Sequence, residues 1–488
     1  MTADIKPYPV YKDSGVPWLG DVPEHWEVVP LKRIAWFKSG VGFPVGEQGE
    51  HDSEVPFLRV SDMTREGNEV WVETSESMVS RNTATKLGAF VFPPGSIIFP
   101  KVGGALLTNK RRILRHASCI DNNIMGCVVR RLDLDYAFVL LKQVDLGRLA
   151  KPGPVPAIGE GDVREIRVAS PPRVEQAAIA RYLDHADRKV RYAIRARQQL
   201  IKLLTEQKQA IIQRAVTRGL DPSIRLKSSA VDWLSGIPEP WQELPLKRLA
   251  SIDNSGCYGD EPEKGCCVLP VATTAQIDAD GHFAVDKMPL RSFSAGDATR
   301  YGCTPGDILV VKSSGSVVNV ISGKAGIVNS ETPHFVFSNF LMRVVPKIST
   351  VDPQFLFLVL NSPLTHERVK RMVAGTTYPN LRVGEYISSL LPVPSLAEQK
   401  EIVAVLEEAT AILDKAIDAA HREIDLLREY RTRLIADVVT GKLDVRGVKV
   451  PDDETDILPE GLEDIDDVDA ADQGDDVVEA DSGAEESA

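Results

Sequence analysis

The stretch SGVPWLGDVPEHWEVVPLKRIA, at Ser14–Ala35, returns 215 residues later as SAVDWLSGIPEPWQELPLKRLA, at Ser229–Ala250. The two segments are identical at 12 of 22 positions, including both tryptophans and the run Pro-Leu-Lys-Arg. Tryptophans that match in register are hard to produce by chance, and a long internal match is the signature of a repeated architecture. The sequence therefore predicts two copies of one domain within its 488 residues.

The match continues to the end of each copy, where its spacing becomes constant. Through the first part of each copy the spacing drifts, which predicts loops of different length. From Pro171 and Pro394 onward it stays at 223 residues, so each half is a variable globular domain followed by an element of fixed length. In the drifting part, the residues matched across the copies include Lys101 with Lys312, Asn123 with Asn339, and Asp135 with Asp352.

The fixed element is predicted to be a long helix in both copies. Residues 173–217 and 395–440 contain no Gly or Pro, and apolar residues recur about every 3.5 positions, as in a coiled coil. Ser395 and Glu398 have the form of a capping box, in which the Glu side chain bonds back to the Ser backbone. The first helix is rich in basic residues and the second in acidic ones, so we expect them to pair. The alternative is that each amphipathic helix packs on its own domain.

Charge separates the body of the chain from its last residues. The chain has 57 Lys plus Arg against 70 Asp plus Glu, but 17 of the acids lie in residues 451–488, which contain no Lys or Arg. The body is therefore mildly basic, and the tail is predicted to be disordered. No apolar run approaches the roughly 20 residues that cross a bilayer. Without a signal peptide or a CxxC pair, we expect a cytoplasmic protein with reduced thiols.

The globular parts are predicted to mix short strands with short helices. Runs rich in β-formers stand between turn signals, and apolar runs of helical length follow them. The predicted strands are Val55–Val60, Ser96–Phe99, Asp307–Val311, Gly326–Val328 and Phe340–Val345, and the predicted helices are Tyr136–Val144, Gln354–Leu360 and Leu364–Met372.

The chain lacks the short motifs of common catalytic sites and has loops that suit binding. It contains no P-loop, no strand followed by GxGxxG, no HExxH and no Gly-x-Ser-x-Gly, so catalysis by this chain is not expected. Lys, Arg, Asn and Ser donate to phosphates and to base edges. Each cluster alone would be ordinary solvated surface, but the clusters recur at aligned places in both copies. The candidate DNA-contacting residues are Arg59, Lys101, Lys110, Arg111, Arg112, Arg115, Lys312, Ser313, Ser314, Ser316, Asn319, Lys324 and Tyr378.

Together these features resemble the specificity subunit of a type I restriction–modification system. The resemblance extends over residues 8–446 and rests on the paired S-x-x-x-W-L-x-x-x-P-x-x-W segments. It rests also on Glu175-Gln176 and Glu398-Gln399, each of which follows prolines at the start of a long helix. The segment GTTYPNL, at residues 375–381, is similar to the family as well, whereas its first-copy counterpart around Lys151–Ile158 is degraded.

The resemblance implies an α+β fold with two tandem α/β target-recognition domains. Each domain would be followed by a long helix, and the two helices would pair as an antiparallel coiled coil. The expected divisions are residues 1–170 and 221–393 for the domains, 171–220 and 394–446 for the helices, and 447–488 for a disordered acidic tail.

The resemblance also implies partners. Each domain would read one half of a bipartite site in double-stranded DNA, while two modification (methyltransferase) subunits and the restriction subunits would dock on this chain. S-adenosylmethionine, ATP and Mg²⁺ would belong to those partners, so this chain would hold no cofactor, no metal and no catalytic residue, and it would contact no membrane.

Two other functions remain open at the level of sequence. One is a coiled-coil scaffold that does not read DNA, and the other is part of a DNA methyltransferase enzyme. The enzyme requires a methyl-donor motif, which the sequence lacks. Neighbouring genes for a methyltransferase and a helicase-nuclease would favour the specificity subunit over the scaffold.

Overall fold

The computed structural model describes residues 5–48, 53–151, 155–230, 234–263, 267–278, 280–313, 321–374 and 380–451. They form two compact units. The first consists of the chain up to Gln199 together with the chain from Arg422 onward, and the second is Leu200–His421. Within these ranges, no helix is both long enough and apolar enough to cross a membrane.

In its described residues, the first unit has twelve short strands and most of the helices of the first repeat. Its strands are β1 (Tyr11–Asp13), β2 (Asp21–Pro23), β3 (Glu27–Pro30), β4 (Ala35–Ser39), β5 (Val55–Leu58), β6 (Trp71–Val72), β7 (Met78–Val79), β8 (Ile97–Pro100), β9 (Arg112–Leu114), β10 (Cys119–Ile120), β11 (Ile124–Val129) and β12 (Arg167–Ser170). The helices of the first repeat are α1 (Arg81–Lys86), α2 (Gly104–Leu107), α3 (Leu134–Gln143), α4 (Glu160–Glu165) and the long α5 (Arg173–Arg218).

The second unit repeats most of this order. Its strands are β13 (Leu226–Lys227), β14 (Ile237–Pro238), β15 (Gln242–Pro245), β16 (Ala250–Asp253), β17 (Cys267–Ala272), β18 (Leu290–Phe293), β19 (Ile308–Val311), β20 (Ala325–Ile327), β21 (Val336–Phe337), β22 (Leu341–Pro346), β23 (Val373–Ala374), β24 (Asn380–Leu381) and β25 (Leu390–Val393). The helices are α6 (Leu246–Leu249), α7 (Ala295–Tyr301), α8 (Pro353–Leu360), α9 (Pro363–Met372), α10 (Val383–Ile387) and the long α11 (Leu396–Val439).

The sheets of the two units correspond, except that β6 has no counterpart in the described part of the second main sheet. The main sheet has the order β4-β11-β8-β9-β6 in the first unit and β16-β22-β19-β20 in the second. A smaller sheet, β10-β5-β7, corresponds to β21-β17-β18, with the central strand parallel to the first strand named and antiparallel to the last in both. The ribbon β3–β12 corresponds to β15–β25. The duplication predicted from the tryptophan segments therefore extends through the whole domain.

Helices α3 and α8 correct the alignment of the repeats. Asp133 caps α3, where its carboxylate accepts from two backbone N–H groups, and Asp352 caps α8 in the same way. The structural counterpart of Asp352 is therefore Asp133 and not Asp135. The identity at Asp135 shifted the sequence match by two residues, because the loop before the helix has different lengths in the two copies.

The long helices pair in an antiparallel sense within each unit, as the resemblance implied. In the first unit, Leu183 near the start of α5 shares a hydrophobic core with Leu434 near the end of α11. In the second, Val216 near the end of α5 shares a core with Ile402 near the start of α11. The same side chains also belong to the domain cores. Each long helix therefore pairs with the other helix and also packs on a domain. Ion pairs between the helices join Asp187 with Arg431, Arg197 with Glu423, and Lys208 with Asp414.

The chain that follows α11 returns to the core of the first unit. Val445 and Val450 are buried there, and the Asp444 N–H donates to the Lys6 carbonyl at 2.9 Å. The predicted tail starts at residue 447, whereas the structure packs Val448 and Val450 against this core. Residues 452–488, the bulk of the predicted tail, lie outside the described residues.

Candidate DNA interface

A buried tryptophan fixes each domain to the start of its own long helix. In the first unit, Trp26 Nε1 donates to the Glu175 carboxylate at 2.8 Å, and Trp26 is fully buried. In the second, Trp241 Nε1 donates to Glu398 at 2.9 Å. Glu398 was predicted to complete a capping box. Its backbone N–H donates to Ser395 Oγ at 3.3 Å, as in such a box, but its carboxylate accepts from Trp241 instead of the Ser395 backbone.

The same tryptophans also contact the end of the other long helix. Gly441, which follows α11 with φ +81°, lies against Trp26, and Gly219, which follows α5 with φ +73°, lies against Trp241. Positive φ favours glycine at a helix end. Each domain is thus fixed to the start of one helix and to the end of the other.

The glutamines next to these glutamates bind the short helices of the domains. Gln176 accepts from the Asp133 N–H at 2.8 Å, and Gln399 accepts from the Asp352 N–H at 2.7 Å. The sequence marked the Glu-Gln pairs only as family-like. A signal for their role was present in the sequence. A tryptophan and a Glu-Gln pair recur together in both copies, which indicates that the tryptophan contacts the pair in each domain.

Lys101 and Lys312 occupy equivalent places in the two units. Lys101 follows β8, and its Nζ donates to Ser39 Oγ at 3.1 Å, at the end of β4. Lys312 follows β19, and its Nζ donates to the carbonyl of Asn254, just after β16. Both side chains are half-buried, and burial lowers the pKa of Lys312.

The backbone beside these lysines confirms the correspondence and adjusts one match. The Lys101 N–H donates to the Asn123 carbonyl at 2.8 Å, and the Lys312 N–H donates to the Phe340 carbonyl at 2.9 Å. Phe340, rather than Asn339, is therefore the structural counterpart of Asn123. Because Asn339 is identical in type to Asn123, the sequence match fell one position before Phe340, which makes the equivalent backbone contact.

Two of the candidate arginines in the first unit are already engaged by acids. Arg59 binds Glu76 and donates to Gln48 Oε1 at 3.0 Å. The exposed Arg115 pairs with Glu73 at 3.0 Å. Its guanidinium also lies over the Trp71 ring, 4.2 Å from the centroid. A phosphate would have to compete with these carboxylates for the two guanidinium groups.

Lys110 and Arg112 form a pair of cations without an acid bound to either. Both are half-buried, and neither forms an ion pair with any other residue that the structure describes. Burial lowers the pKa of Lys110, and the nearby charge of Arg112 lowers it further. Burial lowers the pKa of Arg112 as well, against the opposing effect of Glu69. Two close cations of this kind would be stabilised by an anion such as a DNA phosphate.

Arg111, between them in sequence, lies in the core of the first unit. It is 1% exposed. Its guanidinium donates to the carbonyls of Lys110 and Val144 and to Asn109 Oδ1. The group also lies over the Phe99 ring, 4.9 Å from the centroid. The Arg111 side chain therefore has its partners inside the domain, whereas the side chains of Lys110 and Arg112 remain partly accessible to solvent.

The remaining candidates belong to the second unit and are only partly described. Ser313 forms a β-bridge with Asn380, which brings the loop after β19 next to β24. Lys324 Nζ donates to the Ile277 carbonyl at 2.6 Å, and burial lowers the pKa of Lys324. Ser314, Ser316, Asn319 and Tyr378 lie outside the described residues. Among the residues that are described, no cluster of His, Cys, Asp or Glu could hold a metal ion.

The chain is similar to known proteins along most of its length. The family model of the type I restriction modification DNA specificity domain matches residues 303–420. The type I restriction enzyme MjaVIII specificity subunit of Methanocaldococcus jannaschii is 23% identical over 438 residues, which are 88% of this chain and 95% of that protein. The EcoBI specificity subunit of Escherichia coli is 26% identical over 285 residues, which are 56% of this chain and 57% of that protein.

A solved structure shares the fold. The match is to a chain from structural work on complex assembly and conformational transition of the type I R-M system. It covers 86% of this chain and 98% of that one, with a TM-score of 0.59 at 16% identity. This chain therefore shares its fold with a protein whose structure has been solved.

Proposed function

We propose that this chain, which belongs among the specificity subunits of type I restriction–modification systems, reads a bipartite sequence in double-stranded DNA. The observation that carries the proposal is the duplication itself. The same domain occurs twice, with a lysine at the same strand end, and each copy is fixed by a tryptophan to both long helices. Two copies of one reading domain suit a DNA target that has two separate halves.

In this proposal the loops at Lys101 and Lys312 carry the reading surfaces. Lys110 and Arg112 would bind phosphates of the first half-site, because they are close cations and neither forms an ion pair within the described ranges. Phosphate contacts position a protein on DNA, while base contacts give it sequence preference. The loop after β19, which holds Ser313, would provide donors to base edges in the second half-site.

The proposal leaves the chemistry to partner subunits. Two modification subunits, which bind S-adenosylmethionine, would dock on this chain to form the methyltransferase, and restriction subunits would bring ATP and Mg²⁺. This chain would bind no cofactor and act as a non-catalytic subunit in the cytoplasm. The absence of a methyl-donor motif and of a P-loop from the sequence supports this division of work.

Sequencing of the methylated bases in the host genome, with and without this gene, tests the function. We expect a bipartite methylated motif that disappears when the gene is deleted and returns when it is restored on a plasmid. A methylation pattern that does not change with the gene would contradict DNA reading and favour a scaffold. Methyl transfer to DNA by the purified chain alone would instead indicate an enzyme.

A further inference from the structure

A basic groove lies in the first unit beside the start of α5. We use this name for the cavity of about 820 Å³ whose cations are Lys32, Arg33, Arg131 and Arg173, with His25 also in its lining. Glu27 is the acid in the same lining. All four cationic side chains are exposed to solvent, so the groove presents an excess of positive charge at the surface.

The arginines of the basic groove have no acid bound to them. Arg33, Arg131 and Arg173 form no ion pair with any residue in the described part of the chain. Lys32 pairs with Glu165 at 2.6 Å, but that carboxylate is 64% exposed, and solvent screens such a pair strongly. By contrast, the groove between α3 and α5 of the same unit contains acids as well as bases in its lining, among them Asp184, Asp187, Arg181 and Arg191.

The second unit does not repeat the basic groove. Lys247 and Arg248 match Lys32 and Arg33, but Ile348 stands at the position of Arg131 and Leu396 at that of Arg173. The first unit therefore has two arginines at positions where the second unit has apolar residues. Any ligand of this groove must be one that the first unit meets and the second does not.

The segment that precedes the acidic tail passes close to the lining of this groove. Arg446 Nη1 lies 3.4 Å from Glu175 Oε1, and His25 Nε2, from the groove lining, lies 2.7 Å from the same oxygen. Val450 is buried in the core of the first unit, and residue 452 follows two positions later. The 17 acids of the tail, with no Lys or Arg among them, begin with Asp452, six residues after Arg446.

We propose that the acidic tail, residues 452–488, folds back and occupies the basic groove. Each contact between exposed charges is weak, but the tail carries many carboxylates and is tethered beside the groove, so its effective concentration there is high. The bound tail would keep other polyanions out of the groove. This is a contact of the chain with itself and does not depend on which DNA sequence the domains read.

Zero-length cross-linking of the full-length chain tests the contact. A carbodiimide joins a carboxylate to a lysine amine that touches it, and Lys32 is the lysine of the groove. We expect Lys32 to be joined to acids of the tail, and mass spectrometry of the digest would identify them. The product of Lys32 with Glu165 serves as an internal control for the reagent and for the fold. The tail product should be lost at about 1 M salt, where the Debye length falls to about 3 Å.

Charge reversal tests whether the tail binds the groove or any basic part of the surface. The variant Arg131→Glu/Arg173→Glu should lose the product between Lys32 and the tail while it keeps the product between Lys32 and Glu165. The matched control Ile348→Glu/Leu396→Glu, at the equivalent positions of the second unit, should keep both. Tail products that form on Lys110 instead would place the tail on the proposed reading surface and overturn the groove. Equal yields on all exposed lysines would mean that the tail has no site.

Discussion

At the scale of single residues, Glu175 joins parts of the chain that are far apart in sequence. Its carboxylate accepts from Trp26 Nε1, lies 2.7 Å from His25 Nε2, and lies 3.4 Å from both the Tyr8 hydroxyl and Arg446 Nη1. Glu175 is itself buried. It therefore connects the start of α5 with the first residues of the chain and with the segment that follows α11.

Replacement of this carboxylate should destabilise the first unit. In Glu175→Ala, the buried Trp26 Nε1 loses its acceptor, and we expect the free energy of unfolding to fall by about 2 to 3 kcal/mol. Urea unfolding followed by tryptophan fluorescence measures the change. The control is Asp184→Ala on the same helix, whose carboxylate is 61% exposed and pairs with Arg188. That change should cost no more than about 0.5 kcal/mol, and equal losses in the two variants would contradict the role given to Glu175.

Lys110 and Arg111 should respond differently to replacement although they are adjacent. Lys110→Ala removes a charge that pairs with no acid among the described residues, so we expect weaker DNA binding and a salt slope reduced by about 0.9. Binding of the assembled complex to its target at several salt concentrations measures this slope. Arg148→Ala, which removes a side chain that is 88% exposed, should leave the slope unchanged. An unaltered slope in Lys110→Ala would make this residue ordinary surface.

The sequence did not separate Arg111 from its neighbours, for a physical reason. Consecutive side chains at the start of a strand point to opposite faces. The run Lys110-Arg111-Arg112 enters β9, which is only three residues long, so no alternation of apolar and polar residues marks the inward position. The guanidinium of Arg111 is accommodated by carbonyls from other segments, and these are visible only in the folded chain.

At the scale of elements, the paired helices are where sequence and structure agree best. Absence of Gly and Pro predicted helices at 173–217 and 395–440, and the structure has them at Arg173–Arg218 and Leu396–Val439. Composition marks the ends because Gly and Pro are costly inside a helix. Composition does not reveal that each helix divides its length between two compact units, since that division follows from contacts with residues that are distant in sequence.

Longer helices should lengthen the unread part of the DNA target. Four residues inserted after Arg197 in α5, together with four between Asp414 and Glu423 in α11, leave the flanking ion pairs in place. Each insertion adds about 6 Å and about 40° of rotation, which is close to one or two base pairs at about 3.4 Å and 34° each. We expect unchanged half-sites and a spacer longer by one or two base pairs when methylated bases are sequenced.

The insertion in α5 alone provides the comparison. It shifts the register of one helix against the other, so we expect less active complex than with the matched pair of insertions. An active double variant with an unaltered spacer would show that the helices do not set the separation of the half-sites.

At the scale of the whole molecule, the two domains should be separable readers. The paired strands β3 and β12 close the first domain, so residues 31–166 can be replaced by the equivalent segment of a relative without cutting that ribbon. We expect one half of the methylated motif to change and the other to persist. The reciprocal graft between β15 and β25 should change the other half. Changes in both halves from a single graft would contradict independent reading.

The tail should be dispensable for the choice of sequence. Truncation after Pro451 keeps Val448 and Val450 in the core of the first unit, and we expect the methylated motif to stay the same. Truncation after Arg446 also removes those two valines, so we expect a lower midpoint of thermal unfolding from the loss of buried apolar surface. Sequencing of methylated bases and thermal unfolding distinguish the two variants. A changed motif after truncation at Pro451 would mean that the tail contacts the reading surface.

Sequence alone predicted the duplication, the long helices and several of the strands. It succeeded where local composition or repetition carries the information, as in Ile97–Pro100 and Ile308–Val311. Alignment by identity failed at Asp135 and Asn339, where backbone geometry decides the correspondence. The candidate DNA residues all have side chains that can donate hydrogen bonds. Whether each described one is buried or pairs with an acid depends on neighbours that are distant in sequence.

The division of the long helices has a consequence for biosynthesis. The second unit, Leu200–His421, is one uninterrupted stretch, so all of it has been synthesised before Arg422 is added. The first unit needs the residues from Arg422 onward, including Gly441 against Trp26. At about 5 to 20 residues per second, roughly ten to fifty seconds of translation separate Gln199 from Val450. The domain that is made first is thus the last to find all of its partners, and a ribosome that stalls late leaves it unfinished.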